Sequence, residues 1–123
     1  MSTKALLVTT VVVELFAGIA LLTVPVIPAA CLFGDALDSV AANVIARVAG
    51  IAVTSIAVMC FFARNSRGPA TNSIVTGLLT YNAAVSLLLM QVALEGPRGP
   101  FLWPTVALHL LLACWCLIRL RAA

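Results

Sequence analysis

Four long apolar stretches alternate with short polar ones along this chain. They run from about Ala5 to Val24, Val40 to Ala63, Ser73 to Leu94, and Leu102 to Arg121. Each reaches the roughly 20 residues that a helix needs to cross a hydrocarbon core about 30 Å thick. In lipid the backbone must hydrogen-bond within its own segment, so each stretch predicts a helix and not an open sheet. Short connections make successive helices antiparallel. The expected fold is all-α: an integral membrane, up-and-down four-helix bundle, one domain over residues 1–123.

The polar breaks refine these limits. Pro25 and Pro28 are expected to stop the first helix, because proline lacks the amide donor and turns the preceding residue away from helix. The stretch Pro25–Ser39 then reads as a loop, with Asp38 or Ser39 capping the second helix. Arg64–Pro69 reads as a basic turn, with Gly68 suited to a positive backbone angle. Thr71 or Asn72 is the expected cap of the third helix. Glu95–Pro100 reads as a stiff turn, and the fourth helix should begin within Pro100–Pro104, where proline suits the first turn. Trp103 falls where an interfacial anchor belongs. Ala42, Ala46, Gly50 and Thr54 recur every four residues, a small-residue ridge that lets another helix approach closely. Lys4, the apolar run and Pro28-Ala29-Ala30-Cys31 resemble a lipoprotein leader. The run exceeds the ~7–15 residues of a signal core and contains Glu14, so a retained span is expected.

Composition strengthens the membrane assignment: 63% of residues are hydrophobic and 9% charged, against about 45–50% and about 25% in soluble domains. The net charge of +3 follows from where the bases lie. With four crossings, Lys4, Arg64, Arg67, Arg119 and Arg121 share one side, which has no acid. Asp35, Asp38, Glu95 and Arg98 share the other. Bases in short loops stay cytoplasmic, so both termini are expected inside, in the cell membrane. No basic stripe with interleaved aromatics suggests a nucleic-acid partner. The bilayer is the expected partner, with a homo-oligomer or larger membrane complex possible.

The candidate chemistry lies in the few polar residues within the spans: Glu14, Arg47, Asn82, His109 and Tyr81. Arg47 is about seven residues into the second helix, roughly 10 Å deep. Helical spacing gives the stripes Thr10/Glu14/Gly18, Asn43/Arg47/Gly50/Thr54, Asn82/Ser86 and Thr105/His109/Ala113. Four such stripes can face one interior. Intramembrane ionisable residues are functional candidates by default. Two readings follow. One is a ligand or proton site in the outer half of the bundle. The other is a structural Glu14–Arg47 ion pair with Asn82 and His109 as interhelical hydrogen bonders, or an Arg47 that snorkels to the headgroups.

A single histidine does not suggest metal or haem. Cys31 is expected outside, away from Cys60, Cys114 and Cys116, and all four cysteines suit small apolar filler. No nucleophile–base pair, phosphate loop or catalytic carboxylate pair appears, so neither catalysis nor a cofactor is expected.

Arg47-Val48-Ala49-Gly50, the basic turn Arg64–Arg67, Thr80-Tyr81-Asn82 and Ala107-Leu108-His109-Leu110 resemble a pattern in small bacterial four-helix proteins similar to the DoxX-like group. The resemblance covers Arg47 to the C-terminus. It implies an accessory role, since some DoxX-like proteins are subunits near quinone-linked oxidoreductases. Chain length, four helices and Glu14 in helix one also resemble the small multidrug resistance family. Against it, Val13 stands where that family has alanine, Leu15-Phe16 follows, and Arg47 would compete with a cationic substrate. The expected function is thus an accessory or binding subunit with a polar intramembrane site. The alternative is a proton-coupled carrier of a small amphipathic compound, using Glu14.

Overall fold

A computed structural model describes residues 2–35, 37–96 and 99–122. It contains five helices: α1 (Thr3–Thr23), α2 (Val26–Phe33), α3 (Val40–Ala63), α4 (Pro69–Leu94) and α5 (Leu102–Arg121). No strand occurs among the described residues. The four long helices α1, α3, α4 and α5 are each long and apolar enough to cross a membrane. They form the up-and-down bundle of a membrane protein.

Local chemistry accounts for the helix limits. Ser2 Oγ accepts from the Ala5 amide at 3.1 Å and Ser39 Oγ from the Ala42 amide at 3.0 Å, each relieving one of the first-turn donors that a helix leaves unpaired. Asn43 Nδ2 donates to the carbonyls of Leu37 and Ser39, which ties the preceding loop to α3. Gly68 caps α4 at φ 99°, with Pro69 in the first turn. The third span therefore starts four residues before the expected Ser73, and Thr71 lies inside the helix and does not cap it. Proline at the first helical position costs no hydrogen bond.

The loop expected over Pro25–Ser39 holds the short helix α2. Pro25 sits at its cap and Pro28 in its first turn, so the residues that end α1 begin the next helix. Gly34, at φ 78°, closes α2. The last carbonyls of α2 are met from the other connection. The Gly99 amide donates to Leu32 O at 3.1 Å and the Phe101 amide to Cys31 O at 3.0 Å. A Cβ on Gly99 would collide with the Cys31 carbonyl, so that approach requires glycine. Pro97 and Arg98, in the Glu95–Pro100 turn, lie outside the described residues.

The long helices pack closely as two pairs, α1 with α3 and α4 with α5. The first pair meets at backbone distance. A Cβ on Gly50 would stand 2.9 Å from Gly18 O and 2.9 Å from Leu22 N. The expected small-residue ridge of α3 is a contact at Gly50, and Gly18 is its counterpart. Towards the end carrying the chain termini, all four helices share one apolar core: Leu6 and Leu7, Cys60 and Ala63, Val75 and Leu78, Leu112 and Cys116. At the far end, Leu89, Leu102 and Val106 make a smaller core between α4 and α5 alone. The outer faces are apolar: Val40 is 83% and Phe16 80% exposed. Such faces suit lipid, where they cost nothing.

Candidate functional site

Between the two apolar cores lies a belt of buried polar side chains: Thr10 and Glu14 from α1, Asn82 and Ser86 from α4, and His109 from α5. Buried positions follow helical spacing, 6, 10, 14 and 18 with 7 on α1 and 71, 75, 78, 82, 86, 89 on α4. The polar residues therefore belong to the inward stripes and cannot turn to lipid without exposing backbone-packed faces.

Glu14 is 1% exposed. Its Oε2 accepts from the Tyr81 hydroxyl at 3.1 Å, a bond from α1 to α4. Its Oε1 is buried and has no hydrogen-bond partner. Thr10, one turn away on the same stripe, is fully buried and its hydroxyl is also unpartnered. A helical threonine has a ready partner in the carbonyl four residues back, and Thr23, Thr54, Thr76, Thr80 and Thr105 all use it. Thr10 does not. Burying a polar atom without a partner is costly, so α1 carries two adjacent unmet hydrogen-bonding groups.

The other half of the belt is complete. Asn82 Nδ2 donates to Leu78 O at 2.8 Å, which leaves Oδ1 as the acceptor facing His109 Nδ1 at 2.8 Å. With Oδ1 as the acceptor, His109 Nδ1 is the donor of this bond. The Tyr81 ring stands edge-on to His109, with centroids 5.7 Å apart and planes at 82°. Glu14, Tyr81, His109 and Asn82 thus form one contact chain across α1, α4 and α5.

Arg47 is not part of it. Its side chain is exposed, and Nη1 donates to Leu22 O at 2.5 Å. Leu22 is eight residues beyond Glu14, roughly 12 Å along α1. Pro25 and the end of α1 leave the last carbonyls without amide donors, and Arg47 supplies one at the negative end of the helix dipole. The expectation that Glu14 could be the partner of Arg47 is corrected: the guanidinium caps a helix end, and the carboxylate rests on Tyr81. Of the five candidate residues, Glu14, Tyr81, Asn82 and His109 come together. Thr10, foreseen only as a stripe companion, is buried one turn from Glu14 with its hydroxyl unmet. Its burial depends on which neighbour α1 faces at that height, and no periodicity encodes that.

Two hollows of about 800 and about 370 Å³ lie elsewhere, and neither is lined by these residues. Among the described residues no three of His, Cys, Asp and Glu are grouped to hold a metal ion. Cys60 and Cys116 are free thiols, fully buried in the larger apolar core. No protein-family model, curated protein or solved structure matches the chain.

Proposed function

We propose that this membrane protein is a small binding subunit whose intramembrane site is centred on Glu14. The observation that carries this reading is the buried Glu14 Oε1 without a partner, beside a Thr10 hydroxyl in the same condition. An acceptor left open inside a bundle is a place for a proton or a small cationic group. Tyr81 holds the other carboxylate oxygen, and its ring stands edge-on to His109. The DoxX-like resemblance implies an accessory role of this kind.

A second reading is a proton-coupled carrier of a small amphipathic compound. It is favoured by one observation: Arg47 is engaged with Leu22 O and does not occupy Glu14. Dicyclohexylcarbodiimide separates the outcomes, because it partitions into lipid and modifies carboxylic acids there. Glu14 is expected to be labelled in wild-type protein, with no label in Glu14→Gln. An unlabelled Glu14 in folded protein would sink the site. Protection by a hydrophobic cation such as tetraphenylphosphonium would favour the carrier, and labelling without protection the subunit that binds only a proton.

The location that fits is the cell membrane with both termini in the cytoplasm, supported by Lys4, Arg64, Arg67, Arg119 and Arg121 at one end of the bundle. Cys31 should then react with a membrane-impermeant maleimide on intact cells while Cys60 stays silent. Labelling only after the cells are opened would reverse the orientation.

A further inference from the structure

The larger hollow, about 800 Å³, opens at the end of the bundle where the N-terminus, the α3–α4 turn and the last turn of α5 meet. Lys4, Arg64, Arg67 and Arg119 line it, and no Asp or Glu does. Loop placement of bases by topology alone would not require four of them, from three separate parts of the chain, to border one concavity. Two are held in place. Arg119 Nε donates to Thr3 Oγ1 at 3.1 Å, which ties α5 to α1. Arg64 lies over the Phe61 ring, 3.6 Å from its centroid, and donates to the Phe61 carbonyl.

The start of α4 borders the same hollow. Its cap is Gly68, which offers no side chain, and no side-chain bond caps the helix. The positive end of a 26-residue helix therefore faces the four bases with its first-turn amides uncapped, the arrangement that binds phosphate. An independent observation comes from Thr71. It is 3% exposed, lines the hollow, and its hydroxyl has no partner, although the neighbouring Ser73, Thr76 and Thr80 all bond back to their own helix.

We propose that this hollow binds the phosphate of an anionic phospholipid headgroup. The shared chemistry is a phosphate group. The lipid is the source favoured by position, because the hollow sits at the ends of four spans, at headgroup level. Its volume exceeds that of a bare phosphate and suits a headgroup with its glycerol. The phosphate is met by Arg64, Arg67, Arg119 and Lys4, with the α4 amides and the Thr71 hydroxyl beneath it. Bases at such a surface attract anionic lipid strongly enough to select it over a zwitterionic one.

The test uses the full chain in a neutral detergent. Retained lipid is counted by native mass spectrometry, and the unfolding midpoint is followed while phosphatidylglycerol, phosphatidylcholine or sodium phosphate is added. One phosphatidylglycerol per chain and a raised midpoint are expected, with no response to phosphatidylcholine. Arg67→Gln, at an exposed turn position, should weaken the lipid roughly fivefold. Thr71→Val should weaken it roughly threefold without lowering the lipid-free midpoint. Arg121→Gln, on a base that does not line the hollow, should change neither. Equal losses from Arg121→Gln and Arg67→Gln would mean diffuse surface attraction and overturn the site. Displacement of the lipid by millimolar sodium phosphate would overturn the lipid as occupant and assign the hollow to a soluble phosphate compound.

Discussion

Helix α1 makes two kinds of contact with the rest of the bundle, and they differ in what they tolerate. At Gly18 it meets α3 backbone to backbone, with Gly50 and Thr54 filling the gap. At Glu14, one turn away, it meets α4 through the Tyr81 hydroxyl, and Thr10, two turns away, is buried with its hydroxyl unpartnered. These positions sit four residues apart, and each such step advances about 40° around the helix, so one sequence stripe faces two neighbours. The α1–α3 contact is closed: backbone meets backbone at Gly18 and Gly50, and Arg47 ties the end of α1 to α3 through Leu22 O. The Glu14 contact is hydrogen-bonded on one side and open on the other. A contact with nothing left to satisfy serves the fold. A contact with buried groups left unmet is where a ligand or proton would be accommodated.

The largest expected effect breaks the closed contact. Gly50→Leu would push a side chain into Gly18 O and Leu22 N, both 2.9 Å from where a Cβ would start. Backbone cannot yield as a side-chain tip can, so a loss of about 3 kcal/mol or more in detergent unfolding is expected. Val53→Leu should cost far less. Gly77→Ala, where nothing stands within 4 Å of the added carbon, should change stability by less than about 1 kcal/mol. Equal losses at Gly50 and Gly77 would mean that α1 and α3 do not meet at this glycine.

The next effect concerns the charges. Arg47→Gln removes a charged donor from the end of α1 and should cost roughly 1.5–3 kcal/mol. Glu14→Gln keeps an acceptor for Tyr81 and should cost less. A double-mutant cycle between the two should show coupling below about 0.5 kcal/mol, as for groups with no shared partner. Strong coupling would restore an ion pair and close the open side of the belt.

The smallest effects sharpen the contrast within the belt. A cycle between Asn82→Leu and His109→Leu should give a coupling of about 0.6–1.7 kcal/mol, the range for interhelical hydrogen bonds in lipid. The same range is expected for Glu14→Gln with Tyr81→Phe. Thr10→Val removes an unpartnered hydroxyl at nearly constant volume, so its measured stability should be unchanged or slightly higher. A loss of more than about 1 kcal/mol at Thr10 would mean that the hydroxyl has a partner and that the belt is purely structural.

The four spans were legible in the chain because the bilayer imposes a length and an apolar composition that few sequences meet by chance. Two of them, 40–63 and 102–121, begin and end where the apolar runs do. The small-residue ridge was legible too, because Ala42, Ala46, Gly50 and Thr54 recur at helical spacing among larger apolar residues. The first misjudged element was Pro25–Phe33. Proline forbids continuation of a helix and equally suits the start of one, and the choice is made by Gly99 and Phe101 meeting the α2 carbonyls from seventy residues away.

The site divides in the same manner. Glu14, Tyr81, Asn82 and His109 announced themselves from the sequence, because a polar residue inside an apolar span must find company. The identity of that company was beyond local pattern. Periodicity says which residues share a face of one helix, but not which helix that face meets. Only the crossing of α1 over α3 at Gly18 and Gly50 decides that Arg47 reaches Leu22 O and that Glu14 is left to Tyr81. The sequence determined which residues had to be buried and paired. The tertiary structure decided the pairs, because helix rotation and crossing are set by close packing between segments far apart in the chain.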